Sequence, residues 1–335
     1  MIPIPRRRIL LAAAAAPALS ALPRSAAGQG QNQGQATFPS RPIRIVIGAP
    51  PGSAPDVAAR LMGESLSVRW RQPVVVDNRP AGNGNIAGQT VARAEPDGHT
   101  LLLAQASILV LNEGLMRDVP FSTERDFVPI SMLMNTPFLL AARRDLPANN
   151  LTELRALARE RGGRMTFATS SPVNLPRFAV EMMKGALGME MSNVPYSTTS
   201  GALQDTIMGR TDLVIDGTPV ITPQVRGGQL KALCVTSPAR FPMIEDIPTA
   251  AETIPGFSSM GWFGLVGPRA MPAETVERIA ADMRAVLQVP DISQRLLRDF
   301  GAEVVASPPA DFARFLATER QLYRGLIKEV GATID

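Results

Sequence analysis

The sequence predicts an α/β protein built as two lobes. Short apolar and β-branched runs alternate with segments of helical periodicity, which is typical of parallel strands covered by helices on both faces of a sheet. Two joints rich in proline and glycine bracket a central block that repeats this alternation. Of the 335 residues, 45% are apolar and 19% charged, a composition that excludes a disordered chain. Because single cores stop growing at around 250–300 residues, the length favours two cores.

Eight runs are predicted strands, since each is short, rich in aliphatic or β-branched residues and bounded by turn signals. These runs are residues 43–47, 74–76, 100–103, 128–132, 138–141, 165–168, 213–215 and 230–235. Several are apolar throughout, as expected of strands that are buried on both faces.

Helices are predicted between the strands, at residues 57–67 and 177–187, and again towards the C-terminus. Two C-terminal segments each carry one apolar stripe at helical spacing. The first stripe is Val276, Ile279, Ala280, Met283, Val286 and Leu287, and the second is Phe312, Phe315, Leu316, Leu322, Leu326 and Ile327. We interpret both stripes as core faces, because neither contains the residue types of a cofactor site.

The two joints, at Pro137 and at Pro255-Gly256, set the predicted domain boundaries. Residues 39–136 together with 257–335 form the first predicted lobe, and residues 137–256 form the second. A chain that enters and leaves a central block in this way joins its lobes by two crossover strands, which serve as a hinge. Lobes joined by such a hinge can close over a ligand.

Residues 1–27 are predicted to be a cleaved signal peptide, and residues 28–38 a flexible leader rich in glycine and glutamine. Three arginines followed by Ile9 and Leu10 match the twin-arginine pattern, although the general secretory route stays open. The alternative is an N-terminal membrane anchor. The apolar run covers only residues 9–22 and contains Pro17, whereas a spanning helix needs about 20 residues, so we favour cleavage and a periplasmic location.

The positive charge of the chain belongs to this segment. Residues 1–27 hold four of the 34 basic residues and no acidic residue, so the remaining 308 residues carry 30 charges of each sign. We therefore expect no nucleic acid partner.

Few residues carry recognisable chemistry. The single cysteine, Cys234, lies in a strand-like run and is interpreted as a small buried hydrophobe. The single histidine, His99, follows a Pro-Asp-Gly turn and is interpreted as a surface residue rather than a general base. No phosphate-binding loop, dinucleotide fingerprint or zinc spacing is found in the sequence, so neither a cofactor nor a metal is expected.

Two loops have the geometry of an anion site. Residues 43–47 form a predicted strand that enters the Pro/Gly turn 48–55 and then a helix, so the unpaired N–H groups of the first helical turn face the carboxyl end of the strand. Residues 165–168 and the loop 169–175 repeat the arrangement in the central block. The alternative for Asp56, and for the serines and asparagine of the second loop, is an ordinary capping role.

Several stretches in unbroken order resemble one receptor family. They include Pro50-Pro51-Gly52 with Asp56, Asn78-Arg79-Pro80, Gly84-Asn85-Ile86, Pro96-Asp97-Gly98, Val194-Pro195-Tyr196, Thr211-Asp212-Leu213-Val214 and Trp262-Phe263-Gly264-Leu265-Val266. From about residue 39 onwards the chain resembles the periplasmic solute-binding receptors of the tripartite tricarboxylate transporter family, also called Bug receptors. The resemblance implies a two-lobed periplasmic-binding-protein fold, type II-like, that captures a small organic acid for membrane permease subunits.

In that family one turn from each lobe grips the ligand carboxylate, and these turns correspond here to residues 49–56 and 170–174. The chain departs from the pattern at Ala49, Ser53 and Ala54-Pro55, and again at Pro172 and Pro176, where proline removes N–H donors. One consequence of the lost donors is that they favour a ligand that is larger and more apolar than the usual dicarboxylate. Arg177 is a candidate for a charge-assisted bond in place of the lost donors.

The predicted ligand-binding residues belong to these two turns or follow the carboxyl ends of neighbouring strands, where α/β clefts bind ligands. They are Ala49, Ser53, Ala54, Asp56, Gln105, Ser107, Ser170, Ser171, Val173, Asn174, Arg177, Asp216 and Thr218. Asp216 is expected to accept hydrogen bonds from N–H or hydroxyl groups, because an unpaired carboxylate would repel an acid. Tyr196 and Trp262 either line the cleft or pack in the core.

The predicted function is capture of a small organic acid, without catalysis, by a monomer. Two alternatives stay open at this point. One is an exported enzyme that uses Asp56, Asp216 or His99 as acid or base in the same cleft. The other is a signalling receptor with the same binding chemistry and a membrane sensor as its partner.

Overall fold

A computed structural model describes residues 38–172, 174–331 and 333. The predicted signal peptide, the leader up to Thr37 and the candidate residue Val173 lie outside the described residues. The strands are β1 Ile43–Ile47, β2 Val74–Asn78, β3 Thr100–Gln105, β4 Phe127–Arg143, β5 Met165–Thr169, β6 Met191–Pro195, β7 Leu213–Gly217, β8 Leu230–Val235, β9 Met260–Pro268 and β10 Glu303–Val304.

The helices alternate with these strands, as the sequence predicts. They are α1 Ala54–Trp70, α2 Asn85–Ala92, α3 Asn112–Leu115, α4 Thr123–Asp126, α5 Leu151–Arg161, α6 Leu175–Leu187, α7 Thr199–Ile207, α8 Thr218–Arg226, α9 Ala273–Leu287, α10 Pro290–Phe300 and α11 Pro309–Val330. A π-helical turn, Ser107–Leu111, leads into α3.

The strands form one mixed sheet in the order β2-β1-β3-β9-β4-β7-β5-β6, and β8 and β10 also pair with β4. Strands β1, β2 and β3 are mutually parallel, as are β5, β6 and β7. Antiparallel β9 and β4 connect the two parallel sets. The α/β class is therefore confirmed.

Strand β4 corrects the prediction of two strands separated by a joint at Pro137. It runs unbroken for 17 residues. Its first half pairs with β9 and its second half with β7 and β8. Pro137 forms the last pair of the β9 ladder, with Met260, and the pairing with β7 begins at Phe138, so the missing N–H falls where the partner strand changes. The chain thus passes between the two parallel sets without leaving the sheet.

Three further strands, β6, β9 and β10, were not predicted. Strand β9 contains glycines at 261, 264 and 267, which weaken its strand signal. A Cβ atom at Gly264 would lie 2.2 Å from the ring of Phe312, so the missing side chain is what lets α11 pack on this strand.

The predicted C-terminal stripes are mostly confirmed as core faces. All six residues of the first stripe are buried on α9. On α11, Phe312, Leu316 and Ile327 are buried, whereas Leu322 is 39% exposed, contrary to prediction. The adjacent Tyr323 takes the inward position instead, because successive helical residues point about 100° apart.

The prediction for the single cysteine is confirmed, whereas the prediction for the single histidine is not. Cys234 is buried, as predicted, and burial raises the pKa of its thiol. The prediction of a surface His99 is wrong, because its ring is buried against Phe38 and its Nε2 accepts a 3.2 Å hydrogen bond from the Ser40 N–H. Within the described part of the chain, no helix combines the length and the apolar character needed to cross a membrane.

Candidate functional site

A cleft of about 520 Å³ lies where strands from both parallel sets end. Its walls come from the turns after β1, β3, β5 and β7, from the middle of β4 and the start of β9, and from the end of α10. The lining residues are Ala54, Pro55, Gln105, Ala106, Ser107, Thr136, Phe138, Ser170, Asn174, Leu175, Pro176, Asp216, Gly217, Pro219, Val220, Gly261, Trp262, Phe263, Asp299 and Phe300. A volume of this size is typical of small-molecule sites.

Six of the predicted ligand-binding residues meet in this cleft. They are Ala54, Gln105, Ser107, Ser170, Asn174 and Asp216. The described candidates that do not line it are Ala49, Ser53, Asp56, Ser171, Arg177 and Thr218.

Asp56 holds the first turn in shape. Its buried carboxylate accepts hydrogen bonds from the Arg60 guanidinium at 2.8 and 3.1 Å, from the Gly52 N–H at 2.9 Å and from Asn78 Nδ2 at 2.9 Å. The Arg60 hydrogen bonds lower the pKa of Asp56 to about 2, with smaller contributions in the same direction from Gly52 and Asn78. The same Asn78 amide also donates to the Ala49 carbonyl at 3.0 Å. Asp56 therefore anchors the turn, while its neighbours Ala54 and Pro55 reach the cleft.

The second turn is organised by Asn174. Its Oδ1 caps α6 by accepting from the Arg177 N–H at 3.0 Å, and its Nδ2 donates to Ser170 Oγ at 3.2 Å. Because Ser170 Oγ accepts this bond, its own hydrogen can be donated to a ligand. The capping role that the sequence left open is thus present together with a cleft position.

Arg177 points away from the cleft. Its guanidinium donates to the Pro172 carbonyl and lies 3.9 Å from the Glu181 carboxylate. It lines a separate groove of about 800 Å³ between α6 and α11. Thr218 likewise lines a neighbouring cavity of about 380 Å³ rather than the cleft.

The Asp216 carboxylate accepts hydrogen bonds from an N–H and a hydroxyl group, as expected from the sequence. One carboxylate oxygen accepts from the Gly217 N–H at 2.8 Å and the other from the Thr199 hydroxyl at 2.8 Å. Two donors are therefore already committed to this carboxylate at the edge of the cleft.

Three helices of nine or more residues, α1, α6 and α8, begin at the cleft, and each carries proline at its second position. Pro55, Pro176 and Pro219 have no N–H, and the third N–H of α6 is taken by Asn174. Each first turn consequently presents only one or two backbone donors. These few groups, with the positive end of each helix dipole, can hold one small anionic group.

Aromatic side chains form much of the remaining wall. Phe138, Trp262, Phe263 and Phe300 all line the cleft. Trp262 is buried, its indole N–H donates to Glu319 at 3.0 Å, and the rings of Phe312 and Phe315 pack edge-on against it. Both readings of Trp262 therefore hold, since it packs in the core and also forms cleft wall, whereas Tyr196 donates to Asp205 and does not line the cleft.

Sequence reasoning missed Phe138, Phe263 and Phe300 as cleft residues. Phe263 sits in a recognised motif, so its position next to Trp262 was an available signal. Phe300 ends α10, about 80 to 250 residues away in the chain from the turns that it faces, and no local pattern marks it. Among the described residues, no group of three or more His, Cys, Asp or Glu side chains could hold a metal ion.

A family model described as "Tripartite tricarboxylate transporter family receptor" matches residues 58–332. The Bordetella pertussis protein BugT is 30% identical over 301 residues, which cover 89% of this chain and 92% of BugT.

Solved structures are similar in fold and in sequence. An R. palustris protein solved with adipate is 30% identical, with a TM-score of 0.75, and the match covers 89% of this chain and 100% of that one. MatC from Rhodopseudomonas palustris with bound malate is 28% identical, with a TM-score of 0.71, and the match covers 87% and 100% of the two chains.

Proposed function

Because the chain belongs to the tripartite tricarboxylate transporter family of receptors, we propose that it binds a small organic carboxylate in the cleft described above. The observation that carries this proposal is the convergence of α1, α6 and α8 on one cavity from both parallel strand sets. The ligands of two similar structures, adipate and malate, are small carboxylates of the same chemical class.

The proposed ligand contacts are those predicted residues that line the cleft, together with backbone N–H groups of the three helix starts. Ser170 has a hydroxyl hydrogen to donate, and the side chains of Gln105 and Ser107 make no hydrogen bond within the described part of the chain. These groups are accordingly available to a ligand carboxylate. Asp56 is proposed to act through the shape of the turn and not by contact.

We propose that residues 39–136 with 257–335 and residues 137–256 move as two lobes. The long strand β4 and the segment before β9 are the crossovers, and the cleft lies at their centre because Thr136, Phe138 and Gly261 line it. The ligand closes the lobes only if it makes better contacts in the closed state, since equal contacts shift no equilibrium.

We propose that the mature chain acts in the periplasm as a monomer, after removal of residues 1–27, and delivers its ligand to membrane permease subunits. The predicted export signal and the family membership support this location. A sensor protein as the membrane partner would use the same binding chemistry.

We also propose that binding occurs without turnover. Of the three acid–base candidates, His99 is buried against Phe38, Asp56 is bonded to Arg60, and Asp216 is bonded to Gly217 and Thr199. The alternative of an exported enzyme is thus favoured by no particular residue. Incubation with each bound acid, followed by mass spectrometry, should return the acid unchanged.

The function is tested by isothermal titration of residues 28–335 with a panel of aliphatic and aromatic mono-, di- and tricarboxylates. Saturable binding of at least one acid is expected, together with a smaller radius of gyration in small-angle scattering when that acid is added. A folded protein that binds none of the panel would contradict the proposal.

A further inference from the structure

We propose that the ligand of this cleft is a monocarboxylate with an aromatic or similarly apolar body, and not an aliphatic dicarboxylate. The inference rests on the proposed function and concerns the same site. It is carried by three features of the wall: its aromatic surface, the sign of its charges and the small number of its donors.

The aromatic surface is concentrated at this site. The whole chain has 16 aromatic residues, only 5% of its length, yet four of them line one cleft. Phe138 and Phe263 belong to the two central strands, while Phe300 approaches from the end of α10. Aromatic walls favour ring-shaped ligands, because offset and edge-on ring contacts add about 0.5–1.5 kcal/mol to the burial of area.

The charges of the wall oppose a second carboxylate. No Lys, Arg or His occurs among the described residues that line the cleft, and Val173, which lies outside them, is uncharged. The charged lining residues are Asp216 and Asp299, both acidic, and Asp299 is ion-paired with Arg298 at 2.9 Å, outside the lining. A diacid would place its second carboxylate beside these groups with no cation in the described wall left to pair with it, so its loss of water is not offset.

The donors suffice for one carboxylate. Pro55, Pro176 and Pro219 remove an N–H from each of the three helix starts, and Asn174 occupies a further one at α6. Ser170, Ser107, the Gln105 amide and the remaining first-turn N–H groups supply the two to four bonds that a single carboxylate accepts, and all of these donors are neutral. The rest of the ligand then faces Phe138, Trp262, Phe263, Phe300 and Val220.

The test is calorimetric titration of residues 28–335 with phenylacetate and 3-phenylpropionate against succinate, glutarate and adipate. Each ring acid is expected to bind at least about tenfold more tightly than each diacid. If a diacid binds and the ring acids do not, the inference is wrong and the proposed function stands. If no acid of either class binds a protein that circular dichroism shows to be folded, the inference is wrong, and the wider panel of mono-, di- and tricarboxylates then decides the proposed function.

Two variants test the wall itself. Phe300→Ala should weaken phenylacetate binding by about tenfold, whereas Val68→Ala, at a site 82% exposed and outside the cleft lining, should leave it unchanged. Val220→Lys places a cation in the wall at a residue already 44% exposed, so it should raise adipate affinity and narrow the preference for ring acids. Unchanged phenylacetate binding in Phe300→Ala, or an unchanged preference in Val220→Lys, would overturn the assignment.

Discussion

Asp56 shows how one buried carboxylate can hold a loop of the proposed binding cleft in shape without lining the cleft. Its bonds to Gly52, Arg60 and Asn78 connect the turn, α1 and the end of β2. The sequence identified this residue as either a cap or a ligand contact, and the structure gives it a supporting position behind the cleft wall. Its energetic contribution can be measured through its pKa.

Asp56→Asn should lower the free energy of unfolding at pH 7 by about 1–2 kcal/mol, less than the full pKa shift because Arg60 is half exposed. Since the folded-state pKa of about 2 lies below the ordinary 3.8, the stabilisation is present above pH 4 and is lost as the pH falls towards 2. Urea unfolding at pH 7, 4 and 3 should show the difference from wild type shrinking.

The control for this substitution is Asp118→Asn. Asp118 is exposed and makes no hydrogen bond or ion pair with the described residues. The free energy of unfolding of Asp118→Asn should therefore equal that of wild type at each pH. A deficit of Asp56→Asn that stays constant from pH 7 to pH 3 would show that its ionisation does not stabilise the fold.

Ser170→Ala should weaken binding of phenylacetate by about ten- to a hundredfold, because one hydrogen bond to a charged group contributes about 1.5–3 kcal/mol. Thermal stability should change little, because Asn174 keeps its cap on the Arg177 N–H. Calorimetry and a thermal melt separate the two effects. Equal affinities of Ser170→Ala and wild type would remove Ser170 from the site.

At the scale of elements, the strands that the sequence predicts correctly are those whose boundaries are set by neighbouring residues in the chain. Strands β1 and β8 were predicted to the residue, since each is an apolar run closed by turn residues. The sequence predicts two strands in place of β4, separated at Pro137, because proline locally disfavours a strand. Pairing with β9 on one half of β4 and with β7 and β8 on the other half outweighs that preference.

The residues of the candidate site also differ in whether the local sequence predicts their positions. Ala54, Ser170 and Asn174 were predictable, because a strand that enters a helix through a turn brings them to the strand's carboxyl end. Arg177 lies outside the cleft lining because its direction depends on the Pro172 carbonyl and on Glu181, which no spacing rule specifies. Phe300 reaches the cleft only through tertiary packing.

Helices α1 and α9 are joined by a buried carboxylate whose removal has a measurable cost. Asp282 on α9 accepts from the Trp70 indole N–H at 2.7 Å and from Arg69 at 2.5 Å, both on α1, and from Arg278 at 2.6 Å. Asp282→Ala leaves the buried indole N–H unpaired and should lower the free energy of unfolding by about 3 kcal/mol.

Asp282→Asn keeps an acceptor for Trp70 and should recover part of that loss in urea titrations. In a double-mutant cycle, Trp70→Phe should cost less in the Asp282→Ala background than in wild type, because the indole N–H then has no acceptor to lose. Additive losses would show that the two side chains are not coupled.

At the scale of the whole molecule, α10 connects the two proposed lobes. Leu297 packs against the core cluster of the central block, and Phe300 enters the cleft wall. Gly301 follows the last residue of the helix and has a φ of +56°, and a Cβ there would lie 2.6 Å from Thr218 Oγ1 and 3.0 Å from Pro219 at the start of α8. The close approach between the two sides therefore depends on a residue without a side chain.

Gly301→Ala should hold the two sides apart and so reduce ligand affinity. Gly188 is a matched control, because it also follows a helix, has a φ of +61° and has no atom within 4 Å of its Cβ position. Each substitution should cost about 1 kcal/mol in stability for the left-handed backbone. Only Gly301→Ala should also weaken phenylacetate binding, by about tenfold, and enlarge the radius of gyration of the liganded protein.

The comparison of the two glycines isolates closure from strain. Both variants carry the same backbone cost, so a difference in affinity between them measures the steric contact at Thr218 and Pro219 alone. If they bind equally well, the approach of α10 to α8 plays no part in closure, and the crossovers alone must set the closed state. If Gly301→Ala loses affinity while Gly188→Ala does not, capture of the acid and approach of the two lobes are one coupled step, as a hinged receptor requires.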